Sequence, residues 1–301
     1  MTILAGYDGR PEGRDAIAFA ALLARALGEP VEVACVYLTG EAVLGVTTAE
    51  LEAEAARSAA EGAAALPDDI LTESRAVAGS SPAHGLFELA EARRPTAVVV
   101  GSSHRGALGR VLAGNVASRL LTASRCPVAI APRGFAERDT APLRTIGVGF
   151  DDTAESWTAL QHAAAIGIAA GARLRLIHAL DTAVAPPLDP AETELLTRQL
   201  RDSRQHALAR AAASLSKDLH AETKMALGDP VRMLAHEADR GLDLLVLGSR
   251  GYGPVRRVLL GSVSTELVRS APCPLLVVPR SVEFDPSAGG MAARDELSAA
   301  T

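Results

Sequence analysis

The sequence predicts an α/β fold that is built twice in one chain, and three observations lead to this prediction. A length of 301 residues suits two domains better than one. Hydrophobic residues make up 48% of the chain but aromatic residues only 3%. The cores must therefore consist of Ala, Val, Leu and Ile, which is typical of buried parallel strands under Ala-rich helices. Matching motifs also recur along the chain.

The repeat is seen in short motifs that return in the same order. Ile3-Leu-Ala-Gly-Tyr-Asp8 matches Ile146-Gly-Val-Gly-Phe-Asp151 at an offset of 143 residues. Later pairs share an offset of 147 residues: Gly101 with Gly248, Gly114 with Gly261, Cys126 with Cys273, and Pro132 with Pro279. Because one offset holds through glycines, prolines and a cysteine, the chain is a duplication, with a small length change in a loop.

Each copy alternates short apolar or β-branched runs with helical patterns. The first copy has runs at 3–7, 31–37, 72–77, 97–100 and 128–131, and the second at 145–150, 173–179, 221–226, 244–247 and 275–278. Strands that alternate with helices favour right-handed crossovers and a mostly parallel sheet.

The helices between these runs follow from spacing and end signals. One apolar face is formed by Ala16, Ala20, Leu23 and Leu27 in the first copy and by Ala159, Ala163, Ile166 and Ala170 in the second. Gly28 and Gly171 end these helices. Ser81-Pro82 and Asp229-Pro230 each place a capping residue before a proline, which predicts the start of another helix. The amphipathic stretches 49–65 and 192–215 are expected to cover the sheets.

The same patterns give the domain limits. We expect a first domain over 1–133, a polar linker over 134–143 and a second domain over 144–281. Residues 282–301 are low in apolar content and are expected to form a disordered tail.

Composition excludes several classes of function. A net charge of −6 argues against a nucleic-acid-binding surface. Cys35, Cys126 and Cys273 show no metal or redox spacing, which favours reduced thiols in the cores. The histidines never stand at metal-ligand spacing. No apolar run has the length of a membrane span, and the first ten residues do not resemble a signal peptide, so we expect a cytoplasmic protein.

One loop of the second copy indicates a phosphate-binding site. After the run at 244–247, the second copy reads Gly248-Ser-Arg-Gly251, then nine residues, then Gly261-Ser262. Gly248 and Gly251 are expected to supply positive φ and a close approach of backbone N–H groups to a ligand. Gly261-Ser262 begins a helix, whose free N–H groups and dipole suit a phosphate. The Ser262 hydroxyl either caps that helix or binds a phosphate oxygen. The P-loop and dinucleotide motifs do not fit.

The loop and the duplication together resemble the universal stress protein family, over about 1–133 and 144–281. Its ATP-binding members carry the pattern G-x2-G-x9-G-[ST], which the second copy matches in full. The resemblance implies a Rossmann-like, adenine nucleotide α-hydrolase-like fold. Each copy would then be an open five-stranded parallel sheet of order 3-2-1-4-5 with helices on both faces. ATP would lie across the carboxyl ends of strands 1 and 4, at the switch point of the sheet.

The resemblance also implies the residues that hold the nucleotide. Asp151 would contact the adenine or ribose side, and Ala179 would meet adenine through its backbone. The ribose and phosphates would be lined by Leu247, Gly248, Arg250 and Gly251, and the phosphates held by Gly261, Ser262, Val263 and Ser264.

The first copy departs from this pattern, because His104 replaces the second glycine and Asn115 replaces the final Ser/Thr. Its corresponding candidates are Asp8, Val36, Gly101, Ser103, Gly114, Asn115 and Val116. Whether this copy binds ATP is left open. Asn115 can still cap a helix, and Asp8 and Asp151 have a purely structural alternative as helix caps.

Three functions follow from these observations. The first is an ATP-binding, ligand-dependent regulator in a stress response, with an unidentified protein partner and Mg²⁺ only as a companion of ATP. The loop has no Lys, no acidic pair for Mg²⁺ and no residue that orients water, so no catalytic residue is assigned and at most slow hydrolysis is expected. The alternatives are an adenylating enzyme, whose usual signatures are missing, and a scaffold that binds no nucleotide.

For assembly, the resemblance suggests that the last strands, 128–131 and 275–278, pair inside the chain. Both would otherwise be unpaired edges. One chain would then imitate a dimer, and association into a homodimer is left open.

Overall fold

Strands and helices alternate along the chain as predicted. The computed structural model describes residues 1–39, 46–102, 114–138, 141–181, 189–249 and 261–279. The first copy contains β1 (Ile3–Gly6), α1 (Pro11–Leu27), β2 (Val31–Leu38), α2 (Thr48–Ala64), β3 (Thr72–Gly79), α3 (Pro82–Arg93), β4 (Ala97–Gly101), α4 (Asn115–Ala123) and β5 (Val128–Ala131). The second contains β6 (Thr145–Gly149), α5 (Ala154–Ala170), β7 (Arg173–Leu180), α6 (Pro190–Ala213), β8 (Ala221–Leu227), α7 (Pro230–Asp239), β9 (Leu244–Gly248), α8 (Ser262–Ser270) and β10 (Leu275–Val278).

The strands form one ten-stranded sheet of order β3-β2-β1-β4-β5-β10-β9-β6-β7-β8. Within each copy every neighbouring pair is parallel, which confirms the order 3-2-1-4-5 in both halves. The copies meet where β5 pairs with β10 in antiparallel fashion. Ala129 pairs with Leu276, its counterpart at the 147-residue offset, so a pseudo-two-fold axis passes between these two residues.

Helices cover both faces of this sheet. Alternate side chains of each strand point to opposite faces, and two cores result. Ile3 and Ala5 pack with α1 in one core, and Leu4 packs with α3 and α4 in the other. Each core contains residues of both copies. Within the described part of the chain, no helix is long and apolar enough to cross a membrane.

The predicted helix ends are confirmed. Gly28 and Gly171 end α1 and α5 with φ of 66° and 64°, in the left-handed region where glycine is favoured. Ser81 and Asp229 cap α3 and α7 by accepting hydrogen bonds from backbone N–H groups in the first turn. Two predicted strands, 128–131 and 275–278, match the observed ones, and the other eight differ by one or two residues at the carboxyl end, where hydrogen-bond ladders fray.

The chain between the copies is fixed at two buried or half-buried carboxylates. Asp15 of α1, which is 3% exposed, accepts hydrogen bonds from the backbone N–H groups of Gly134 and Ala136, both 2.9 Å long. Asp243 accepts hydrogen bonds from the N–H groups of Arg144 and Thr145. Residues 139–140 and the tail at 282–301 lie outside the described residues. All three cysteines are buried and free.

A buried histidine gives a testable dependence of stability on pH. Burial lowers the pKa of His162 on α5 from 6.5 to about 4, and at the matching position α1 carries Phe19. As the pH falls below 6.5, protons bind the unfolded chain first, so the folded state loses stability until the pH reaches about 4. We expect a loss of about 2 kcal/mol between pH 7 and pH 5 from this residue.

Urea unfolding at pH 7 and pH 5 measures that loss. The substitution His162→Phe, which introduces the residue of the first copy, should abolish this loss of stability. The substitution His236→Gln, on the exposed side of α7, should leave the loss in place. An equal loss in the wild type and in His162→Phe would contradict the assignment.

Candidate nucleotide site

A cavity of about 270 Å³ lies at the carboxyl ends of β6, β7 and β9. In the sheet, β6 lies between β7 and β9, so the chain leaves β6 in one direction and returns on the other side of it. This is the switch point at which open α/β sheets bind ligands. The cavity is lined by Gly149, Phe150, Asp151, Thr153, Glu155, Ser156, Ile177, His178, Ala179, Leu180, Arg204, Pro230, Leu234, Leu247, Gly248, Gly261, Ser262, Val263 and Ser264.

The structure brings together the residues that the sequence singled out in the second copy. Those that line the cavity are Asp151, Ala179, Leu247, Gly248, Gly261, Ser262, Val263 and Ser264. Arg250 and Gly251 lie outside the described residues. Residues that are about 110 positions apart in sequence therefore meet at one edge of the sheet, because parallel strands end together.

The positive φ expected for Gly248 is wrong, because this glycine does not adopt it. Its role is to permit close packing. A Cβ at Gly248 would lie 2.6 Å from the carbonyl oxygen of Glu155 in the first turn of α5. Gly101 has the same role in the first copy, where a Cβ would lie 2.0 Å from the carbonyl oxygen of Glu12. Each glycine lets a strand end directly beneath the helix that follows the first strand.

The aspartates after β1 and β6 hold a turn and do not cap a helix. Asp151 Oδ1 accepts hydrogen bonds from the Thr153 backbone N–H at 3.3 Å and from the Thr153 hydroxyl at 2.5 Å. Thr153 is itself the capping residue of α5, paired with Ser156 in a capping box. Asp8 similarly accepts from the backbone N–H of Arg10, and α1 has no side-chain cap. The interpretation of Asp8 and Asp151 as helix caps is therefore wrong.

Helix α8 begins at the cavity without a side-chain cap. Gly261 occupies the capping position with φ −61° and ψ 155°. The Ser262 hydroxyl does not cap the helix, and the Ser264 hydroxyl donates to the carbonyl oxygen of Gly248 at 2.9 Å. N–H groups in a first turn have no partner within the helix, and the first residues of α8 line the cavity, where the positive end of the helix dipole also lies.

His178 and Arg204 are among the lining residues that the sequence did not single out. His178, at the end of β7, is 7% exposed, and its Nδ1 lies 2.8 Å from the carbonyl oxygen of Phe150. Burial lowers its pKa, and Arg204 lowers it further, against the Phe150 hydrogen bond and Asp152. Arg204 reaches over from α6, with Nη1 3.5 Å from the Asp151 carbonyl oxygen. Only the position of His178 directly before Ala179 could have indicated it.

The first copy places its candidates at equivalent positions. Asp8 follows β1, Val36 lies in β2, Gly101 ends β4, Gly114 precedes α4, and Asn115 and Val116 open α4. Ser103 and His104 lie outside the described residues. The expected capping role of Asn115 is wrong, since Gly114 occupies the capping position and no side chain caps α4.

Side chains at the base of the two sites differ. When β1 and β2 are matched to β6 and β7, Cys35 corresponds to His178, and burial raises the pKa of the Cys35 thiol. When β3 is matched to β8, Ala55 of α2 corresponds to Arg204 of α6. At these two positions the first copy therefore has neither the imidazole nor the guanidinium of the second.

The duplicated doubly wound sheet, with a cleft at its switch point, defines an α/β protein of the Rossmann-like class. The model of the universal stress protein family matches residues 1–132 and 142–279, and the chain belongs to that family.

Individual relatives agree with this assignment. A universal stress protein of Mycobacterium tuberculosis is 28% identical over 295 residues, covering 93% of this chain and all of the relative. One of Mycolicibacterium smegmatis is 28% identical over 299 residues, covering 92% and 96% of the two chains. The crystal structure of a universal stress protein from Archaeoglobus fulgidus has the same fold, with a TM-score of 0.64 at 19% identity over 93% of this chain and 98% of that one.

Substitution of Gly248 tests the packing at the rim of the cavity. Gly248→Ala should destabilise the protein by about 1–3 kcal/mol, because the new Cβ meets a fixed carbonyl group. Gly149→Ala is a matched control, since its Cβ at 2.7 Å would meet Leu247 Cδ2, the far end of a side chain that can turn away. Urea unfolding curves compare the two variants, and an equal or smaller loss for Gly248→Ala would refute the close-packing role.

Proposed function

We propose that the second copy binds an adenine nucleotide and that the bound nucleotide regulates a protein partner in a cytoplasmic stress response, without efficient catalysis. The observation that carries the proposal is the start of α8. Gly261 leaves the first turn without a side-chain cap at the cavity, and such a helix end is suited to a phosphate group.

The phosphate end of the cavity would be formed by backbone groups. The N–H groups of Ser262, Val263 and Ser264 belong to the first turn of α8, where an anion is favoured by the helix dipole. Ser264 is held by its hydrogen bond to Gly248, so its backbone is fixed relative to β9. The Ser262 hydroxyl, which does not cap the helix, is available to a phosphate oxygen.

The base end of the cavity would combine apolar walls with the guanidinium of Arg204. Half-buried Ala179 and Pro230 provide apolar surface for a flat ring. Arg204 adds a guanidinium, which stacks on aromatic faces or pairs with phosphate oxygens. These groups fit a ligand that combines a heteroaromatic ring with negative charge.

The chemistry of the cavity supports binding more than turnover. Asp151 already holds the turn before α5. Among the described residues, no three His, Cys, Asp or Glu side chains gather as metal ligands. Mg²⁺ would therefore be held through the phosphates of the nucleotide. We propose that hydrolysis is slow or absent and that the first copy serves mainly as a structural partner, since it has Ala55 and Cys35 in place of Arg204 and His178.

Isothermal titration calorimetry with ATP tests the site. At micromolar protein concentration, we expect binding that Gly261→Val abolishes, because a branched side chain would occupy the phosphate position. Gly114→Val, the equivalent change before α4, should leave this binding unchanged. Absence of ATP binding in the wild type, supported by mass spectrometry that finds no co-purified nucleotide, would favour the scaffold alternative. Release of pyrophosphate in the presence of metabolite pools would favour an adenylating enzyme.

A second test concerns the guanidinium over the cavity. Arg204→Ala should weaken ATP binding about three- to tenfold at low salt, because it removes one charge-assisted contact. Arg201→Ala on an exposed face of the same helix is the matched control and should leave the affinity unchanged. Equal effects of the two substitutions would show that α6 contributes only general electrostatic attraction.

A further inference from the structure

His178 lines the cavity and carries a titratable imidazole, but the proposed function assigns no role to it. It lies at the end of β7, beside Ala179, and is 7% exposed. Buried polar groups normally have hydrogen-bond partners, so each of its two ring nitrogens needs an explanation.

The hydrogen-bond partner of one nitrogen determines the state of the other. A carbonyl oxygen can only accept, so Nδ1 must carry the proton and donate to Phe150 at 2.8 Å. In the neutral ring, Nε2 then has a lone pair and no proton. Within the described part of the chain Nε2 has no hydrogen-bond partner, and His178 is one of the residues that line the cavity.

We propose that Nε2 of His178 selects the base of the nucleotide, by accepting a hydrogen bond from an exocyclic amino group. This inference rests on the proposed nucleotide site. An adenine ring carries such an amino group, whereas hypoxanthine carries a carbonyl oxygen in its place. The oxygen would face the lone pair of Nε2, and the nitrogen would be left buried without a partner, which costs affinity.

The charges around the ring keep it neutral near pH 7. Burial lowers the pKa of His178 below its usual value of 6.5. Arg204 of α6 acts in the same direction, and Asp152 of the β6–α5 turn opposes both. Asp151 in that turn and Glu155 of α5 also line the cavity or its rim. Protonation would turn Nε2 into a donor, which suits the carbonyl of hypoxanthine and not the amino group of adenine.

The two copies differ in the hydrogen-bonding group at the position of His178. Its Cys35 offers a protonated thiol, a weak hydrogen-bonding group, where the second copy has an imidazole acceptor. Selection of an amino-bearing base is therefore a property of the second copy.

Competition between ATP and ITP, which differ in this group and in the proton that hypoxanthine carries on the adjacent ring nitrogen N1, tests the inference on the full chain. At pH 7.5 the wild type should bind ATP about tenfold or more tightly than ITP. His178→Phe should bring the ratio of the two affinities close to one.

The outcomes separate the two proposals. Equal affinity for ATP and ITP in the wild type, or a preference that His178→Phe retains, overturns the role of His178 and leaves the nucleotide site intact. Binding of neither nucleotide overturns the proposed function, and the inference with it. If His178→Phe does not fold, His178→Cys, which introduces the residue of the first copy, takes its place, and a preference for ATP that this variant retains overturns the role of His178.

Discussion

The antiparallel pairing of β5 with β10 is the contact on which the whole arrangement depends. Each of these strands is the last of its copy and would otherwise present unpaired N–H and C=O groups. Both are fully buried, and each lies between a parallel strand of its own copy and the antiparallel strand of the other. Joining them turns two open sheets into one and lets both cores run across the boundary between the copies.

This symmetry of the scaffold does not extend to the sites. The backbone features recur: an aspartate holds the turn after the first strand, a glycine packs under a helix, and a helix begins without a side-chain cap. The side chains that give such a frame its chemistry differ, since Cys35 and Ala55 replace His178 and Arg204. The frame is therefore a property of the fold, and the side chains that fill it are particular to each copy.

Much of the fold could be predicted because its signals are local. Apolar spacing located the first helix of each copy, and Gly28, Gly171, Ser81 and Asp229 marked helix ends through their own backbone preferences. The chemical motif also located the cavity, because β6 and β9 end at the same edge. Strand lengths were less accurate, since the ends of the ladders depend on the neighbouring strand.

What the sequence did not reveal depends on contacts between distant segments. Gly248 is needed because of the Glu155 carbonyl group, which no periodicity around Gly248 could indicate. Arg204 lies in an amphipathic helix whose pattern is explained by covering the sheet, and only the packing of α6 brings it to Asp151. His178 lies within an apolar strand, and its tautomer is set by a carbonyl group 28 residues away.

Covalent fusion of the two copies has a consequence for how the protein can change. In a homodimer of single-copy chains, every substitution occurs twice and alters both sites together. Here a codon change alters one half alone, while β5 and β10 continue to hold the halves in register. One half can therefore lose its ligand chemistry and keep its place in the sheet, which frees its surface to acquire another task.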